Sequence, residues 1–225
     1  LRRFAADALE AAGMVAEEAA IVADSLVEAD LRGIETHGIM RLPQYVQRVR
    51  AGGIRSPAPL TWYPAAPSCV LLDGGAGAGQ VVGMRAMSRA VELAAENGVG
   101  VVAVRNSNHF GAAGYFVLHA LAHDMIGLVL TNADASVVPF GGASRFFGTN
   151  PLAIGVPSGQ AFPVVLDMAT SVVAVGRILV AAQDGQAIPA GWAVDDRGRP
   201  TTDPRAALAG ALLPAAGHKG YGLAL

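Results

Sequence analysis

The most constraining feature of the sequence is a regular alternation of strand-like and helix-like segments between residues 68 and 184. Short apolar runs such as SCVLLD (68–73) and IGLVLTN (126–132) alternate with longer segments of helical periodicity, among them Gly83–Asn97 and Ala112–Asp124. Strands that alternate with helices of this length are typical of layered α/β structures. The sequence therefore predicts an α/β fold for this part of the chain.

The first 67 residues follow a different pattern. Three segments place apolar residues at helical spacing, and they are Leu1–Ala12, Glu17–Ala29 and Arg41–Ala51. The proline-rich stretch from Ser56 to Pro67 is predicted to be an extended linker. We therefore expect an N-terminal helical portion, 1–67, followed by an α/β portion, 68–225.

Composition and charge exclude several classes of protein. With 52% hydrophobic and 15% charged residues, the chain is expected to be globular rather than disordered or a coiled coil. Its 16 basic and 18 acidic residues are mixed along the chain, which argues against a nucleic-acid partner. No apolar run reaches the ~18–20 residues needed to span a bilayer. The single cysteine, Cys69, rules out an internal disulfide and fits a reducing, cytoplasmic location.

The glycine run DGGAGAGQVVG (73–83) stands between a predicted strand and a predicted helix, where a dinucleotide-binding fingerprint would lie. In the pattern G-x-G-x-x-G, Gly77 and Gly79 require a glycine at position 82, but the chain has Val82 there and places Gly83 one residue late. Two interpretations stay open, a phosphate cradle and a flexible turn before a helix.

Two other familiar motifs are incomplete. His119 and His123 are four residues apart on a predicted helix, a spacing that lets two imidazoles share a metal ion. The segment LHALAHD lacks the glutamate of a zinc-protease motif and no third ligand is evident, so we expect no metal site. The chain also lacks G-x-S-x-G, so nothing indicates a serine hydrolase.

The first concentration of chemical groups is ETHGIMR (35–41), just before a predicted helix. Arg41 can hold a carboxylate through two parallel hydrogen bonds, and His37 can transfer a proton near neutral pH. An arginine in the first turn of a helix interacts unfavourably with the helix dipole. The presence of Arg41 at this position is therefore better explained by ligand binding than by helix stability. The alternative for His37 is that it merely caps the helix.

The second concentration is NSNHFGAAG (106–114), which follows a predicted strand. Polar side chains and exposed amides at the carboxyl end of a strand are the usual setting of an α/β site, although a polar loop with a packing histidine is the alternative. Two further clusters are GTNP (148–151) and LDMATS (166–171). Asp167 ends an apolar strand, so it either caps the next predicted helix, Thr170–Asp184, or serves the site.

In this order, the segments resemble the malate/L-lactate dehydrogenase family of NAD(P)-dependent 2-hydroxyacid oxidoreductases, which includes ureidoglycolate and sulfolactate dehydrogenases and cyclic-imine reductases. The resemblance runs through ADLRGIETHGIMRLPQYVQRVRAGGI, VRNSNHFGAAGYF, PFGG, GTNPLAIGVP, LDMATSVVAVGRI, IPAGWAVDDRGRPTTDP and HKGYGLAL. It implies a non-Rossmann α/β fold with an N-terminal helical portion and a mixed-sheet cofactor-binding portion, assembled as a homodimer. Family members continue past the last segment, so we expect the chain to be truncated at the start of a C-terminal helix.

The resemblance also implies roles for individual residues. His37, supported by the hydroxyl of Thr36, and His109 each match a histidine that transfers the proton in family members. Arg41 matches the arginine that binds the substrate carboxylate, and Thr149 matches a substrate-contacting position. The positions that match cofactor-binding residues are His109, Phe110, Gly111, Asp167, Met168, Ala169, His218 and Lys219.

The function implied is an NAD- or NADP-dependent dehydrogenase that moves a hydride between nicotinamide and C2 of a small 2-hydroxy/2-oxo acid. We favour His37 as the acid/base, because a carboxylate on Arg41, one helical turn away, would bring the adjacent carbonyl close to it. The alternatives are reduction of a cyclic-imine carboxylate and a nucleotide-binding homologue without catalysis. Arg177 disfavours the imine, because imine reductases carry an acid at that position.

Overall fold

The computed structural model describes residues 1–225, and its helices and strands follow the predicted alternation closely. The α-helices are α1 (Arg2–Glu10), α2 (Ala16–Leu31), α3 (Leu42–Arg50), α4 (Gly79–Asn97), α5 (Gly114–Leu121), α6 (Val175–Gln183), α7 (Pro204–Ala209) and α8 (His218–Ala224). The strands are β1 (Thr61–Ala66), β2 (Cys69–Asp73), β3 (Val101–Arg105), β4 (Gly127–Leu130), β5 (Leu152–Val156), β6 (Val164–Met168), β7 (Ala193–Val194), β8 (Pro200–Thr201) and β9 (Ala211–Leu212). The predicted α/β class is confirmed as a mixed fold of helices and small sheets.

The chain forms two compact units. Unit 1 comprises Leu1–Gly127 and Ile154–Val165, and unit 2 comprises Leu128–Ala153 and Leu166–Leu225. The predicted boundary at residue 67 lies inside unit 1, and the division of roles between the portions 1–67 and 68–225 stays a prediction.

The core of unit 1 is built by its N-terminal helices. Leu9 of α1 and Val22 and Leu26 of α2 are completely buried, and Tyr45 of α3 is buried with them. Val22 and Leu26 are four residues apart, so they lie on one face of α2. Because Tyr45 anchors α3 in this core, the position of the residues that precede α3 is also fixed.

A βαβ unit completes the scaffold of unit 1. Strands β2 and β3 pair in parallel, with Asp73 opposite Arg105, and the 19-residue helix α4 connects them. The loops that follow the two strands therefore meet at one edge of the sheet. The guanidinium of Arg105 donates to the carboxylate of Asp73 over 2.9 Å, and the amide of Asn106 donates to the same oxygen.

Three predicted element boundaries are wrong. Within the expected linker Ser56–Pro67, residues 61–66 form β1, which pairs antiparallel with β2 and tolerates Pro64 because it is an edge strand. Helix α4 begins at Gly79, four residues before the predicted start. Helix α6 begins at Val175 rather than Thr170, because the side chain of Thr170 is buried and donates to the backbone carbonyl of Thr149.

Unit 2 has its own core and its own sheet. Strand β7 pairs antiparallel with both β8 and β9, and Val137, Ile178 and Ala193 are almost completely buried against this layer. A further three-stranded sheet has the order β4–β5–β6. No helix in the structure combines the length and apolar character needed to cross a membrane.

A buried carboxylate joins α2 to the stretch before β1, and its loss is expected to destabilise unit 1. Glu18, which is 7% exposed, accepts hydrogen bonds from the hydroxyl of Ser56 (2.5 Å) and the backbone N–H of Ala58 (2.7 Å). Glu18→Ala leaves both donors without a partner, so urea denaturation should show a loss of about 2–4 kcal/mol in the free energy of unfolding.

The matched control is the neighbouring carboxylate. Glu17 forms an ion pair with Arg85, and its side chain is 71% exposed. Glu17→Ala should therefore change the free energy of unfolding by less than about 1 kcal/mol. Equal losses in the two variants would contradict the role given to Glu18.

Candidate functional site

The segment before α3 is a tight double turn that leaves room for no side chain at its centre. Helix α2 ends at Leu31, and two short 3₁₀ helices, Glu35–His37 and Ile39–Arg41, lead into α3. The carboxylate of Asp30 accepts a hydrogen bond from the backbone N–H of Ile39 over 3.0 Å. A Cβ on Gly38 would lie 1.6 Å from the other oxygen of that carboxylate, so any other residue there would displace the side chain of Asp30. This turn sets the positions of Thr36, His37 and Arg41.

His37 is held by a neighbouring hydroxyl and is kept neutral. Its Nδ1 lies 3.0 Å from the Oγ1 of Thr36. Burial lowers the pKa of His37, and the positive charge of Arg41 lowers it further. The imidazole is therefore ready to accept a proton near neutral pH. The alternative that His37 caps α3 is wrong, because the N-cap residue is Arg41 and no side chain bonds to that end of the helix.

Arg41 is fixed at one side of its guanidinium group. Its Nε donates to the backbone carbonyl of Thr36 over 2.7 Å, and its Nη1 donates to Oε1 of Gln44 over 3.2 Å. These contacts use two of the five N–H groups of an arginine. The half-buried side chain of Arg41 thus holds its planar guanidinium in a fixed orientation, with further N–H groups available. Bidentate binding of a carboxylate requires both.

The structure brings the two candidate histidines together. The rings of His37 and His109 stack with their centroids 5.7 Å apart and an angle of 17° between their planes. The Nδ1 of His109 lies 2.6 Å from the hydroxyl of Tyr45, whose pKa is raised to about 12, chiefly by burial. Each imidazole therefore has a hydroxyl group at its Nδ1, that of Thr36 for one ring and that of Tyr45 for the other.

The sequence did not identify Tyr45 as a site residue. The available signal is its spacing, since His37, Arg41 and Tyr45 follow one another at intervals of four residues. Residues four apart on helical turns lie on one face, but the contact with His109 joins positions 64 residues apart. Spacing along the chain cannot predict a contact of that kind.

The loop that carries His109 is held by the side chain of Asn108. Its amide nitrogen lies within 2.9–3.1 Å of the backbone carbonyls of Gly53, Ala76 and Gly77, and donates to them. Its Oδ1 accepts a hydrogen bond from Arg48 over 2.7 Å. One amide thus connects the end of α3, the glycine run and the loop after β3, and so fixes the position of His109.

The glycine run allows close packing against the same loop. A Cβ on Gly79 would lie 2.2 Å from the backbone carbonyl oxygen of Asn108 and 2.4 Å from that of His109. Carbonyl oxygens repel a phosphate, and those of Ala76 and Gly77 already accept hydrogen bonds from Asn108. This geometry favours the interpretation of the run as a structural turn rather than as a phosphate cradle.

Phe110 and Gly111 follow His109 in unit 1, and the other candidate residues lie in unit 2, where backbone hydrogen bonds join three segments. The carbonyl of Thr149 accepts a hydrogen bond from the N–H of Thr170 over 2.8 Å, and the carbonyl of Thr170 accepts one from the N–H of Ala215 over 2.8 Å. These bonds bring the GTNP turn, the end of β6 and the start of α8 together. Asp167 does not cap α6, whose N-cap residue is Ala174.

The residues gathered in unit 2 suit a nicotinamide dinucleotide. His218 and Lys219 are exposed at the start of α8, where they offer donors and a positive charge for phosphate groups. Asp167 and Met168 are half-buried at the end of β6, and so is Ala169, the next residue. The donor set is therefore compatible with the cofactor.

His119 of α5 and His123, two residues after the end of that helix, form a smaller cluster. The rings of His119 and His123 are 4.8 Å apart, and the Nε2 of His119 lies 3.2 Å from the hydroxyl of Ser88. Nowhere in the structure do three histidine, cysteine, aspartate or glutamate side chains gather as a metal site requires.

Comparison with known proteins adds evidence that is independent of this geometry. A family model described as malate/L-lactate dehydrogenase matches residues 1–225. The L-sulfolactate dehydrogenase of Methanocaldococcus jannaschii is 46% identical over 224 residues, which are 100% of this chain and 65% of that protein. The ureidoglycolate dehydrogenase (NAD(+)) of Escherichia coli O157:H7 is 44% identical over 212 residues, 94% of this chain and 60% of that protein.

Solved structures give the same result. The crystal structure of malate dehydrogenase from Entamoeba histolytica is 38% identical, with a TM-score of 0.95 over 99% of this chain and 66% of that chain. The chain therefore spans somewhat less than two thirds of the proteins that it matches.

Proposed function

Since the chain belongs to the malate/L-lactate dehydrogenase family, we propose that the protein oxidises a small 2-hydroxy acid with NAD or NADP and catalyses the reverse reduction. The observation that carries the proposal is the stacked pair of His37 and His109, with Arg41 at the end of the 3₁₀ helix that follows His37. This arrangement provides a group that binds a carboxylate and a neutral imidazole that accepts a proton. The family's fold is proposed to be of the non-Rossmann type.

In the proposed reaction, Arg41 binds the carboxylate of the substrate. Its guanidinium is oriented by the carbonyl of Thr36 and by Gln44, so little side-chain freedom is lost when the acid binds. A carboxylate held in this way places the adjacent C2 and its oxygen near the imidazole of His37. Thr149 is proposed as a further contact to the substrate.

His37 is proposed to take the hydroxyl proton during oxidation and to return it to the carbonyl oxygen during reduction. Its lowered pKa keeps the ring neutral and able to accept a proton near neutral pH. The hydroxyl of Thr36 orients the ring through Nδ1, which leaves Nε2 for the substrate. His109 is proposed to orient the substrate and cofactor rather than to transfer the proton.

The residues proposed to bind the cofactor form one group in each unit. In unit 1 they are Phe110 and Gly111 beside His109, and in unit 2 they are Asp167, Met168, Ala169, His218 and Lys219. When bound, the nicotinamide ring accepts or supplies the hydride at C2 of the acid. Lys219 and His218 are proposed to bind its phosphate groups, and the other residues to orient the ring.

Substitution of Arg41 by lysine should weaken the use of the acid and leave the cofactor untouched. A lysine keeps the charge but cannot form two parallel hydrogen bonds to a carboxylate. We expect kcat/KM for the acid to fall roughly 10- to 100-fold, equivalent to about 1.4–2.7 kcal/mol, at unchanged affinity for NAD(P)H. The matched control is Arg50→Lys, at an exposed position in the last turn of α3. An unchanged kcat/KM in Arg41→Lys would remove Arg41 from the site.

The assembled protein is proposed to be a homodimer. Leu128 and Leu130 of β4 and Leu166 of β6 are between 44% and 66% exposed, and large exposed apolar side chains on the strands of one sheet are typical of a surface that a partner covers. Light scattering of the full-length protein should give twice the mass of one chain, whereas an active monomer would contradict the proposal.

The substrate class is tested with a panel of acids. Malate, lactate, sulfolactate and ureidoglycolate, each with NAD and with NADP, should show which acid and which cofactor support reduction of the nicotinamide. A cyclic-imine carboxylate belongs in the reverse assay, since a clear preference for it would select the alternative reaction. Binding of NADH or NADPH without turnover of any acid would indicate a homologue that has lost catalysis.

A further inference from the structure

The PFGG segment (139–142) has no part in the proposed reaction, and it forms a tight turn in unit 2. The N–H of Gly142 donates to the carbonyl of Pro139 over 2.8 Å, and Gly141 has a φ of 78°. This is the pattern of a β-turn that needs glycine at its third position. Phe140 therefore occupies the corner of the turn, where its side chain is 59% exposed.

The loop that carries this turn is held in place at two points. At its base, the N–H of Val137 donates to the carbonyl of Phe147 over 2.8 Å. Closer to the turn, the guanidinium of Arg145 donates to two backbone carbonyls at the end of α7, over 2.6 Å each. The position of Phe140 is thus fixed by the fold itself.

The ring of Phe140 rests on the turn that precedes α8. A Cβ on Gly217 would lie 3.1 Å from Cε2 of Phe140, so the ring packs directly on the backbone there. The ring of His218 meets it edge to face, with the centroids 5.8 Å apart and an angle of 71° between the planes. Lys219, the next residue, is exposed like His218. An aromatic ring and two basic side chains therefore share one small part of the surface.

Packing inside the chain does not account for this ring. A phenylalanine that is more than half exposed has at least one face of its ring open to solvent, so it gains little free energy from burial. Aromatic faces bind flat heterocyclic rings by stacking, and basic side chains bind phosphate groups. A nucleotide is the class of ligand that carries both a flat ring and phosphates.

We propose that Phe140 stacks on the adenine ring of the nicotinamide dinucleotide, while His218 and Lys219 bind its phosphate groups. The inference rests on the proposed function, which supplies the cofactor. Both ends of the cofactor carry a flat ring, and the exposure of Phe140 decides between them. The nicotinamide ring reacts with the acid and has to be shielded from water, whereas adenine takes no part in the reaction and can bind at a surface that is half open to solvent.

Binding measurements without the acid test this assignment. Titration of the full-length protein with NADH or NADPH gives the Kd from the fluorescence of the reduced nicotinamide. ADP-ribose, which displaces NADH, and reduced nicotinamide mononucleotide are probes that each carry only one of the two rings. Phe140→Ala should raise the Kd for NAD(P)H and for ADP-ribose roughly 5- to 100-fold, the contribution of one stacked base, and leave the Kd for the mononucleotide unchanged.

Further variants separate stacking from other roles of the ring. Phe140→Tyr keeps the aromatic face, so its Kd values should equal those of the wild type. Phe146 lies in the same loop and is 69% exposed, with its ring against Phe147, so Phe146→Ala should change none of the three Kd values. Phe140→Leu is the second variant, should alanine fail to fold, and it should weaken binding as alanine does because it has no ring.

Three results would overturn the proposal. The first is an unchanged affinity for ADP-ribose in Phe140→Ala, or ADP-ribose that does not displace NADH from the wild type. The second is a loss confined to the mononucleotide, which would assign the ring to nicotinamide instead. The third is a set of unchanged affinities together with a change from dimer to monomer in light scattering, which would show that Phe140 packs against a second copy of the chain.

Kinetics distinguish this inference from the proposed function. Since adenine takes no part in hydride transfer, Phe140→Ala should raise the KM for the cofactor and keep the kcat of the wild type at saturating cofactor. Weaker binding of ADP-ribose in Phe140→Ala, in a protein that oxidises none of the acids, would leave this inference intact and refute the proposed function. Oxidation of an acid by a protein whose Phe140→Ala variant binds ADP-ribose normally would refute this inference alone.

Discussion

Replacement of His37 by alanine is expected to lower kcat roughly 10²–10⁴-fold, the usual cost of losing a general acid or base. In the proposed reaction, the neutral ring at this position accepts the hydroxyl proton during oxidation, and we expect no other group to take its place when it is removed. Arg41 and the residues of unit 2 are unaltered in this variant, so the affinity for NAD(P)H should stay unchanged. Steady-state kinetics and nicotinamide fluorescence measure the two quantities.

The dependence of the rate on pH gives a second test of His37. Because burial and Arg41 lower the pKa of this histidine, kcat/KM for oxidation should be level near neutral pH and fall only below the ordinary value of 6.5. Acid protonates the ring, and a protonated ring cannot act as the base. His37→Ala should lack this ionisation. Retention of the ionisation in His37→Ala and its loss in His109→Asn would assign the proton transfer to His109.

Substitution of Gly79 by alanine is expected to impair catalysis through the loop that carries His109. The new Cβ would lie 2.2 Å and 2.4 Å from two backbone carbonyl oxygens, so the backbone of Asn108 and His109 must move away from α4. A displacement of about 1 Å in a catalytic group can cost roughly 100-fold in rate. We therefore expect kcat to fall by about that factor.

The control for this substitution is Gly159→Ala, at a glycine with open space around its Cα. That variant should keep the kcat and the Tm of the wild type. Stacking of the two imidazoles should be lost only in Gly79→Ala, which a crystal structure of the variant would show. Full activity in Gly79→Ala would mean that the position of this loop does not determine the rate.

The sequence predicted the parts of the site that depend on local chain geometry. Thr36, His37 and Arg41 lie within one double turn, so their proximity follows from the backbone alone. Asp30 and Gly38, which shape the turn, belong to no recognisable sequence motif. Their close contact appears only in the folded chain, where α2 packs against the turn.

The parts that the sequence could not predict depend on tertiary contacts. Tyr45 resembles an ordinary helix residue, and only the packing of α3 against the loop after β3 places it beside His109. The late start of α6 has a similar cause, since Thr170 and Ser171 direct their hydroxyl groups to backbone carbonyls and leave the helical path. Strand β1 forms despite Pro64 because β2 supplies it with a partner.

The most direct test of the central claim follows a hydrogen atom. The full-length protein is mixed with the preferred acid carrying deuterium at C2, together with NAD or NADP, and the reduced nicotinamide is analysed by mass spectrometry. Our account predicts deuterium in the nicotinamide ring, a slowed reaction in the wild type, and loss of the transfer in His37→Ala with cofactor binding retained. Reduced nicotinamide that contains no deuterium, or transfer at the wild-type rate in His37→Ala, would contradict it.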